Sequence, residues 1–267
     1  MLENGQSANT VIPTFPIHSQ TISRAPVHQW RAEHRLEKPS RKKSTRADLR
    51  EIAPAFSDVA NSDQTRPAYL FAKRALDIAV SASALLLLSP LLCVIALAIR
   101  LTSRGPAIYR HTRVGLKGRE FTCFKFRSMA DKADQLKDQL REQNQHTDSR
   151  TFKMARDPRV TAVGRVLRKS SLDELPQLFN VLLGDMSLVG PRPPVPSEVE
   201  QYSWDDLRRL EVTPGLTCIW QVSGRSNIPF PKQLQMDIQY IEQRSLLLDI
   251  KLLLQTVPAV LTANGAC

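Results

Sequence analysis

Apolar positions are distributed very unevenly along this chain. Residues 1–68 show no sustained period and are rich in Ser, Thr, Pro, Arg and His, which predicts a disordered N-terminal tail. Its run Arg41-Lys42-Lys43 is a solvated patch or one attracted to anionic lipid. From Leu76 to Leu101 the pattern inverts: Ile78 through Ile99 contain no charged residue, enough to cross a bilayer core as a straight helix. Ser89-Pro90 interrupts that run, and proline removes a helical hydrogen bond and bends the axis. Lys73 and Arg74 precede it, and Arg100, Arg104, Arg110 and Arg113 follow it. Cationic flanks favour the cytoplasm, and both can lie there only if the helix enters the membrane, breaks and returns. Residues 69–103 are therefore read as a re-entrant membrane helix broken at Ser89 and Pro90, ahead of a simple span or a buried helix of a soluble core.

Beyond it the periods shorten. Ile108 to Tyr109 and Phe121 to Phe126 read as short strands joined through the Gly115–Gly118 turn. Lys125 and Arg127 alternate with Phe124 and Phe126, giving one cationic strand face, either solvated or a phosphate clamp. Met129 to Gln145 is charged and helix-forming, with Ala133, Leu136 and Leu140 on one stripe. Residues 146–158 form a polar loop. Tyr202 to Leu210 and Phe230 to Leu248 look like amphipathic helices. Leu246 to Leu261 is an apolar element whose only charges are Asp249 and Lys251; it packs on the core or lies on a membrane surface.

Ser171 to Pro193 reads SLDELPQLFNVLLGDMSLVGPRP. Pro176 cannot sit deep in a helix and Leu175 is biased away from helical angles, so a helix is expected to start near Pro176. Leu178, Phe179, Leu182 and Leu183 would form its buried stripe, and Gly184 its C-terminal cap. Asp173 and Glu174 would then stand at the helix mouth, where the dipole favours ionised carboxylates. On its own such a pair is most simply an N-cap, or Ser171 with Glu174 is a capping box. Arg165, Arg168 and Lys169 just upstream weaken that reading, because a cap needs no cationic cluster while a phosphorylated ligand does. Downstream, Gly190-Pro191-Arg192-Pro193-Pro194 is a stiff loop presenting one arginine. Val212 to Asn227 adds a Pro214-Gly215 turn, Trp220 as an apolar platform, and Arg225.

Composition narrows the choice of partner. A net charge of +11 and a pI of about 9.8 suit an anionic partner. Only 6% of residues are aromatic, against a base-stacking surface, and nothing matches a nucleic-acid-binding module. Cys93, Cys123, Cys218 and Cys267 lack CxxC spacing and histidine partners, so they read as free thiols in a reducing compartment rather than a structural metal site. The sequence contains no secretory h-region after the first methionine, no internal repeat, no P-loop and no GxGxxG.

From about Lys73 onward the chain resembles the bacterial sugar transferases, the monotopic polyprenyl-phosphate phosphoglycosyl transferases that begin exopolysaccharide or O-antigen assembly. The resemblance rests on Lys73-Arg74 with Asp77, the Ser-Pro helix break, KFRSM (Lys125 to Met129), the Ser171–Pro193 stretch and PGLTCIWQVSGR (Pro214 to Arg225). Cys218 departs from it, standing where many relatives carry glycine. The closing segment resembles the subgroup that starts with glucose or galactose.

The resemblance implies an α/β fold of mostly helices. The re-entrant membrane helix would be followed by a cytoplasmic interfacial catalytic domain over residues 104–267, with a small β element. It implies transfer of a hexose 1-phosphate from a UDP-sugar to undecaprenyl phosphate, with release of UMP. Asp173 would be the nucleophile and Glu174 its partner, both holding Mg²⁺. Lys125, Arg127, Arg168, Arg192 and Arg225 would bind substrate phosphates or nucleotide. The implied setting is the cytoplasmic face of a bacterial inner membrane, among membrane lipid, with a homodimer admitted and no nucleic acid involved. A competing reading is a non-catalytic membrane-attached scaffold that binds anionic lipid, which leaves Asp173-Glu174 without a role.

Overall fold

A computed structural model describes residues 67–130, 133, 154 and 157–262. The expected tail, up to residue 66, lies outside the described residues, as do nearly all of the expected 129–145 helix and most of the polar loop after it.

The apolar run folds as one long helix, α1 (Pro67–Thr102), with Pro90 inside it. Its 36 residues amount to roughly 54 Å of helix axis at about 1.5 Å per residue. Helical backbone continues on both sides of the expected break at Ser89-Pro90. Pro90 has no amide to offer the carbonyl of Leu86, and the Ser89 hydroxyl donates to that carbonyl at 2.8 Å instead.

The N-terminal half of α1 is fastened to the rest of the fold by polar side chains. Arg74 donates to the carbonyls of Val181 and Leu182 at 2.6 and 2.8 Å. Asp77, buried, accepts from the Ser187 hydroxyl and the Leu188 amide at 3.1 and 2.9 Å. Lys73 donates to the Val189 carbonyl, the Tyr240 hydroxyl and Asp249 at 3.0, 3.2 and 2.9 Å. The C-terminal half is held by apolar packing, with Ile95 and Ile99 joining Ala107, Phe126 and Leu167 in one core cluster. Between the two attachments Leu86 and Leu87 are 75% and 78% exposed.

Next comes an antiparallel hairpin, β1 (Ile108–Val114) and β2 (Glu120–Phe126), with Ile108 opposite Phe126 and Val114 opposite Glu120. Helix α2 (Ala162–Lys169) starts on a Thr161 cap that accepts from the Gly164 amide at 2.9 Å. It buries Leu167 and leaves Arg165 and Lys169 exposed. Helix α3 (Gln177–Leu183) has Pro176 at its N-cap and Gly184, at φ 91°, at its C-cap, as the sequence leads one to expect. Its buried stripe is different from the expected one. Gln177, Leu178, Asn180 and Val181 face inward, while Phe179 and Leu183 are 50% and 69% exposed.

Two short strands, β3 (Ser187–Val189) and β4 (Gly215–Thr217), pair in parallel. They approach so closely beyond the pairing that a Cβ on Gly215 would lie 2.0 Å from the Gly190 amide nitrogen. Only a residue without a side chain fits there. Short helices α4 (Pro196–Val199) and α5 (Trp204–Leu207) follow, the latter opened by a Ser203–Asp206 capping box. Val199, Leu207 and Leu210 pack on Val114. The expected helix over Tyr202–Leu210 is thus a short helix and a 3-10 turn (Arg208–Glu211).

The chain closes with α6 (Ile219–Ser223), α7 (Phe230–Gln243) and α8 (Leu246–Thr262). α7 ends before the expected Leu248 because Arg244 leaves helical angles (φ −52°, ψ 130°). α8 buries Asp249 and Leu252 and turns Leu247, Leu254 and Leu261 outward. It therefore packs on the core with one face and exposes an apolar stripe on the other. The described part is mostly helical with a small β component.

Candidate active site

Asp173 and Glu174 do not stand at a helix mouth. They occupy a separate 3-10 turn (Leu172–Glu174), one residue-pair ahead of α3. The turn is set by Ser171, which takes left-handed angles (φ 57°), a conformation costly for a residue with a side chain. Leu175 is helical (φ −53°, ψ −36°) although it precedes proline, because its amide closes the 3-10 turn on the Leu172 carbonyl at 3.3 Å. The tight reversal after α2 brings the carboxylates next to Arg168.

The two carboxylates differ sharply in environment. Glu174 Oε1 accepts from Lys125 Nζ at 2.7 Å and from Arg192 Nη2 at 2.9 Å, and Arg192 Nη1 stands 3.5 Å from Oε2. Burial opposes its ionisation, but Arg192 and Lys125 outweigh it and hold the carboxyl well below the usual carboxylate range. Asp173 makes no hydrogen bond or ion pair with any of the described residues. Burial, and then the Glu174 charge beside it, push its pKa up to about 6 against the pull of Lys125, Arg168 and Arg192. The helix dipole expected to act on Asp173 has little part in this, since the turn lies outside the helix and burial dominates.

The cations are held from behind. Asn180 of α3 inserts its amide into the edge of β2, accepting from the Phe124 amide at 3.0 Å and donating to the Thr122 carbonyl at 2.7 Å. That locks the strand carrying Lys125 to the helix that follows the acidic turn. The proline-rich loop has few amides, so its carbonyls are caught by other elements. Val189 is gripped by Lys73 and Tyr240, Pro191 by the Gly215 amide at 2.9 Å, and Arg192 by Arg209 at 3.3 Å. Pro193 accepts from Arg113 at 2.9 Å and Pro194 from the Val114 amide at 3.0 Å. Arg209 is itself buried, ion-paired to Asp237 at 2.7 Å and Glu198 at 3.2 Å.

Lys125, Arg168, Asp173, Glu174, Arg192 and Arg225 line one cleft of about 530 Å³. Arg127 does not join them. It is buried, donating to the carbonyl and hydroxyl of Ser103 at 2.9 and 2.8 Å, and so ties the end of α1 to the hairpin. Ser89 and Pro90 lie in the middle of α1 and outside the cleft lining. Trp220 lines the cleft but is only 8% exposed, so it offers no open platform. Asn180, Arg209 and the Lys73–Asp249 pair were not singled out from the sequence as support for the site. For Asn180 the signal was a polar residue inside an apolar helical stripe, and in a globular core such a residue must find a partner.

Three or more His, Cys, Asp or Glu side chains that would cage a metal ion are not found together among the described residues. The donor chemistry nevertheless suits magnesium, which is commonly bound by one or two carboxylates and completes its shell with phosphate oxygens and water. The described cysteines, Cys93, Cys123 and Cys218, are free.

A half-buried acidic pair thus stands among converging cations in one cleft of a mostly helical fold. Residues 68–263 match the family of bacterial sugar transferases, and the chain belongs to that family. It is 41% identical over 204 residues to the exopolysaccharide production protein ExoY of Rhizobium meliloti, covering 75% of this chain and 90% of that one. A UDP-glucose:undecaprenyl-phosphate glucose-1-phosphate transferase of Caulobacter vibrioides is 38% identical over the full length of both chains. An undecaprenyl-phosphate galactose phosphotransferase of Salmonella typhimurium is 46% identical over 73% of this chain, a match that spans 42% of its own length.

Proposed function

We propose that this chain transfers a hexose 1-phosphate from a UDP-sugar to undecaprenyl phosphate, as the first step of exopolysaccharide assembly. The observation that carries the reading is the unequal treatment of two adjacent carboxylates. Glu174 is neutralised by Lys125 and Arg192, while Asp173 is left open in the same cleft. An unpartnered carboxylate with a pKa near 6 is ionised at neutral pH and more basic than an ordinary aspartate.

The sequence of bonds follows from that arrangement. An Asp173 oxygen attacks the β-phosphorus, the bond from that phosphorus to the bridging oxygen breaks, and UMP leaves. An oxygen of the lipid phosphate then attacks the phosphorus of the phosphosugar–aspartyl ester. The bond to Asp173 breaks, freeing the carboxylate and giving undecaprenyl diphosphate sugar. Lys125 and Arg192 anchor Glu174 and offset negative charge at the diphosphate, with Arg168 and Arg225 facing the same space. Asp173 and Glu174 would hold Mg²⁺, which supplies further charge neutralisation on the phosphates.

The topology that suits this chemistry is a re-entrant α1 at the cytoplasmic face of the inner membrane. It is supported by the two attachments of α1. Lys73, Arg74 and Asp77 at one end, and Ile95 and Ile99 at the other, contact the same body that carries the dyad. A straight span would separate those ends by a bilayer. The exposed Leu86 and Leu87 and the outer stripe of α8 would meet lipid, placing the cleft at the depth of a lipid phosphate.

The test is product analysis with the full chain in membranes, supplied with undecaprenyl phosphate and UDP-glucose or UDP-galactose. UMP and a lipid-linked sugar diphosphate are expected. Release of UDP instead would mean transfer of the sugar without its phosphate and would overturn the reading.

A further inference from the structure

Besides its cations, the cleft is lined by neutral hydrogen-bonding groups, and these are oriented by their neighbours. Thr256 of α8 donates its hydroxyl proton to the Leu252 carbonyl at 2.8 Å. The Thr217–Thr256 contact, at 2.8 Å, must then use the Thr217 proton, which leaves the Thr217 oxygen as an acceptor. At the next residue, the Cys218 thiol does not cap α6. It donates to Gln221 Oε1 at 3.0 Å. Cys218 is fully buried and burial raises its pKa well above the ordinary thiol value, so it remains a donor. With Oε1 turned to Cys218, the Gln221 amide is oriented with its NH₂ group on the other side.

We infer that Gln221 reads a hydroxyl of the transferred sugar, and that Cys218 is the positioning residue that fixes the direction of its amide. The inference rests on the transferase reading above. The wall supplies one donor from Gln221 and one acceptor from Thr217, which together match a hydroxyl group, itself both donor and acceptor. It supplies no open aromatic face for a nucleobase, because Trp220 is only 8% exposed. Leu216, Val222 and Leu253 add apolar surface to a lining that also includes Arg225, and a hydrogen bond oriented at one sugar hydroxyl has large leverage on discrimination.

The experiment measures kcat/KM of the full chain with UDP-glucose and with UDP-galactose, and inhibition by UMP, in Gln221→Met, Cys218→Ala and Cys218→Ser. Gln221→Met keeps the volume and removes the donor, and the ratio between the two sugars is expected to change about ten-fold or more. Cys218→Ala releases the amide and is expected to move the ratio in the same direction, while Cys218→Ser restores a donor and the wild-type ratio. UMP inhibition is expected to stay constant throughout. Equal losses with both sugars would reduce Gln221 to a packing residue, and a weakened UMP inhibition at constant sugar ratio would make it a nucleotide contact; either result overturns the inference. If Gln221→Met does not fold, as judged by thermal melting, the Ala and Ser variants of Cys218 decide alone. Failure of the transferase reading is distinguishable, since the wild-type chain would then release no UMP with either sugar.

Discussion

Arg209 donates to the main-chain carbonyl of Arg192 at 3.3 Å, so one buried arginine sets the base from which another reaches the acidic turn. The charge of Arg209 is balanced by Asp237, whose own pKa burial raises to about 6 against the pull of Arg209. Arg209→Lys keeps the charge but loses the fork that spans Glu198, Asp237 and the loop carbonyl. A fall in kcat of about ten-fold, with a stability loss of about 1–2 kcal/mol, is expected. Steady-state kinetics beside thermal melting checks this, and an unchanged kcat would free Arg192 from dependence on Arg209.

Arg192 itself grips Glu174 through two nitrogens. Arg192→Lys is expected to lower turnover by about 10- to 100-fold with little change in melting temperature, since lysine offers a point charge in place of a planar fork. Turnover near that of wild type would make Arg192 a loop-packing residue.

Asp173→Asn is expected to abolish transfer, by about 10⁴-fold or more, because an amide cannot form the acyl phosphate. The folded protein raises the pKa of Asp173, so its stabilising contribution is complete below the ordinary aspartate value and is lost as pH rises through about 6. At pH 7.5 the variant should therefore melt no lower than wild type. Incubation of wild-type enzyme with UDP-sugar and Mg²⁺, without lipid acceptor, should leave a sugar phosphate that mass spectrometry locates on Asp173. An adduct on Glu174 would reverse the two roles.

The first half-reaction should gain rate with pH along a limb centred near 6, as Asp173 loses its proton. Glu174 is the charge that raises this value beyond what burial does. In Glu174→Gln the limb should move to lower pH, whatever residual rate remains. UMP release measured between about pH 5 and pH 8 in both proteins tests the coupling, and an identical limb in the variant would assign it to another group.

Ala68, in the first turn of α1, and Arg104, just past its end, are exposed. With the exposed Cys93 replaced, cysteines introduced at either position in intact cells should resist a membrane-impermeant maleimide and react after permeabilisation. Reaction at one end only in intact cells would establish a through-span. Pro90→Ala restores the amide that Leu86 lacks and should favour that outcome.

How much of this was open to inspection in the chain alone follows from the range of the forces involved. The acidic pair, the cleft-lining cations Lys125, Arg168, Arg192 and Arg225, the hairpin, the long apolar helix and the Gly184 cap are local signals, because turn chemistry and hydrophobic period act within a few residues. Sequence also showed the polar residues that would later matter, Asp77 and Asp249 among them, as charges within or beside apolar runs. It could not show their partners, which lie up to 180 residues away, as in Tyr69–Asp249. Tertiary structure decided that Arg127 braces α1 while its neighbour Lys125 faces the cleft, because strand alternation holds only within β2 and Arg127 lies just past its end. It also decided which face of α3 is buried: Asn180 finds both of its hydrogen bonds on the open edge of β2, and that pairing turns Phe179 and Leu183 outward. The division between the two carboxylates belongs to the same level. Asp173 and Glu174 are adjacent and chemically alike, and only the arrival of Lys125 and Arg192 from distant elements, with burial of the remaining oxygens, separates a clamped acid from an open one.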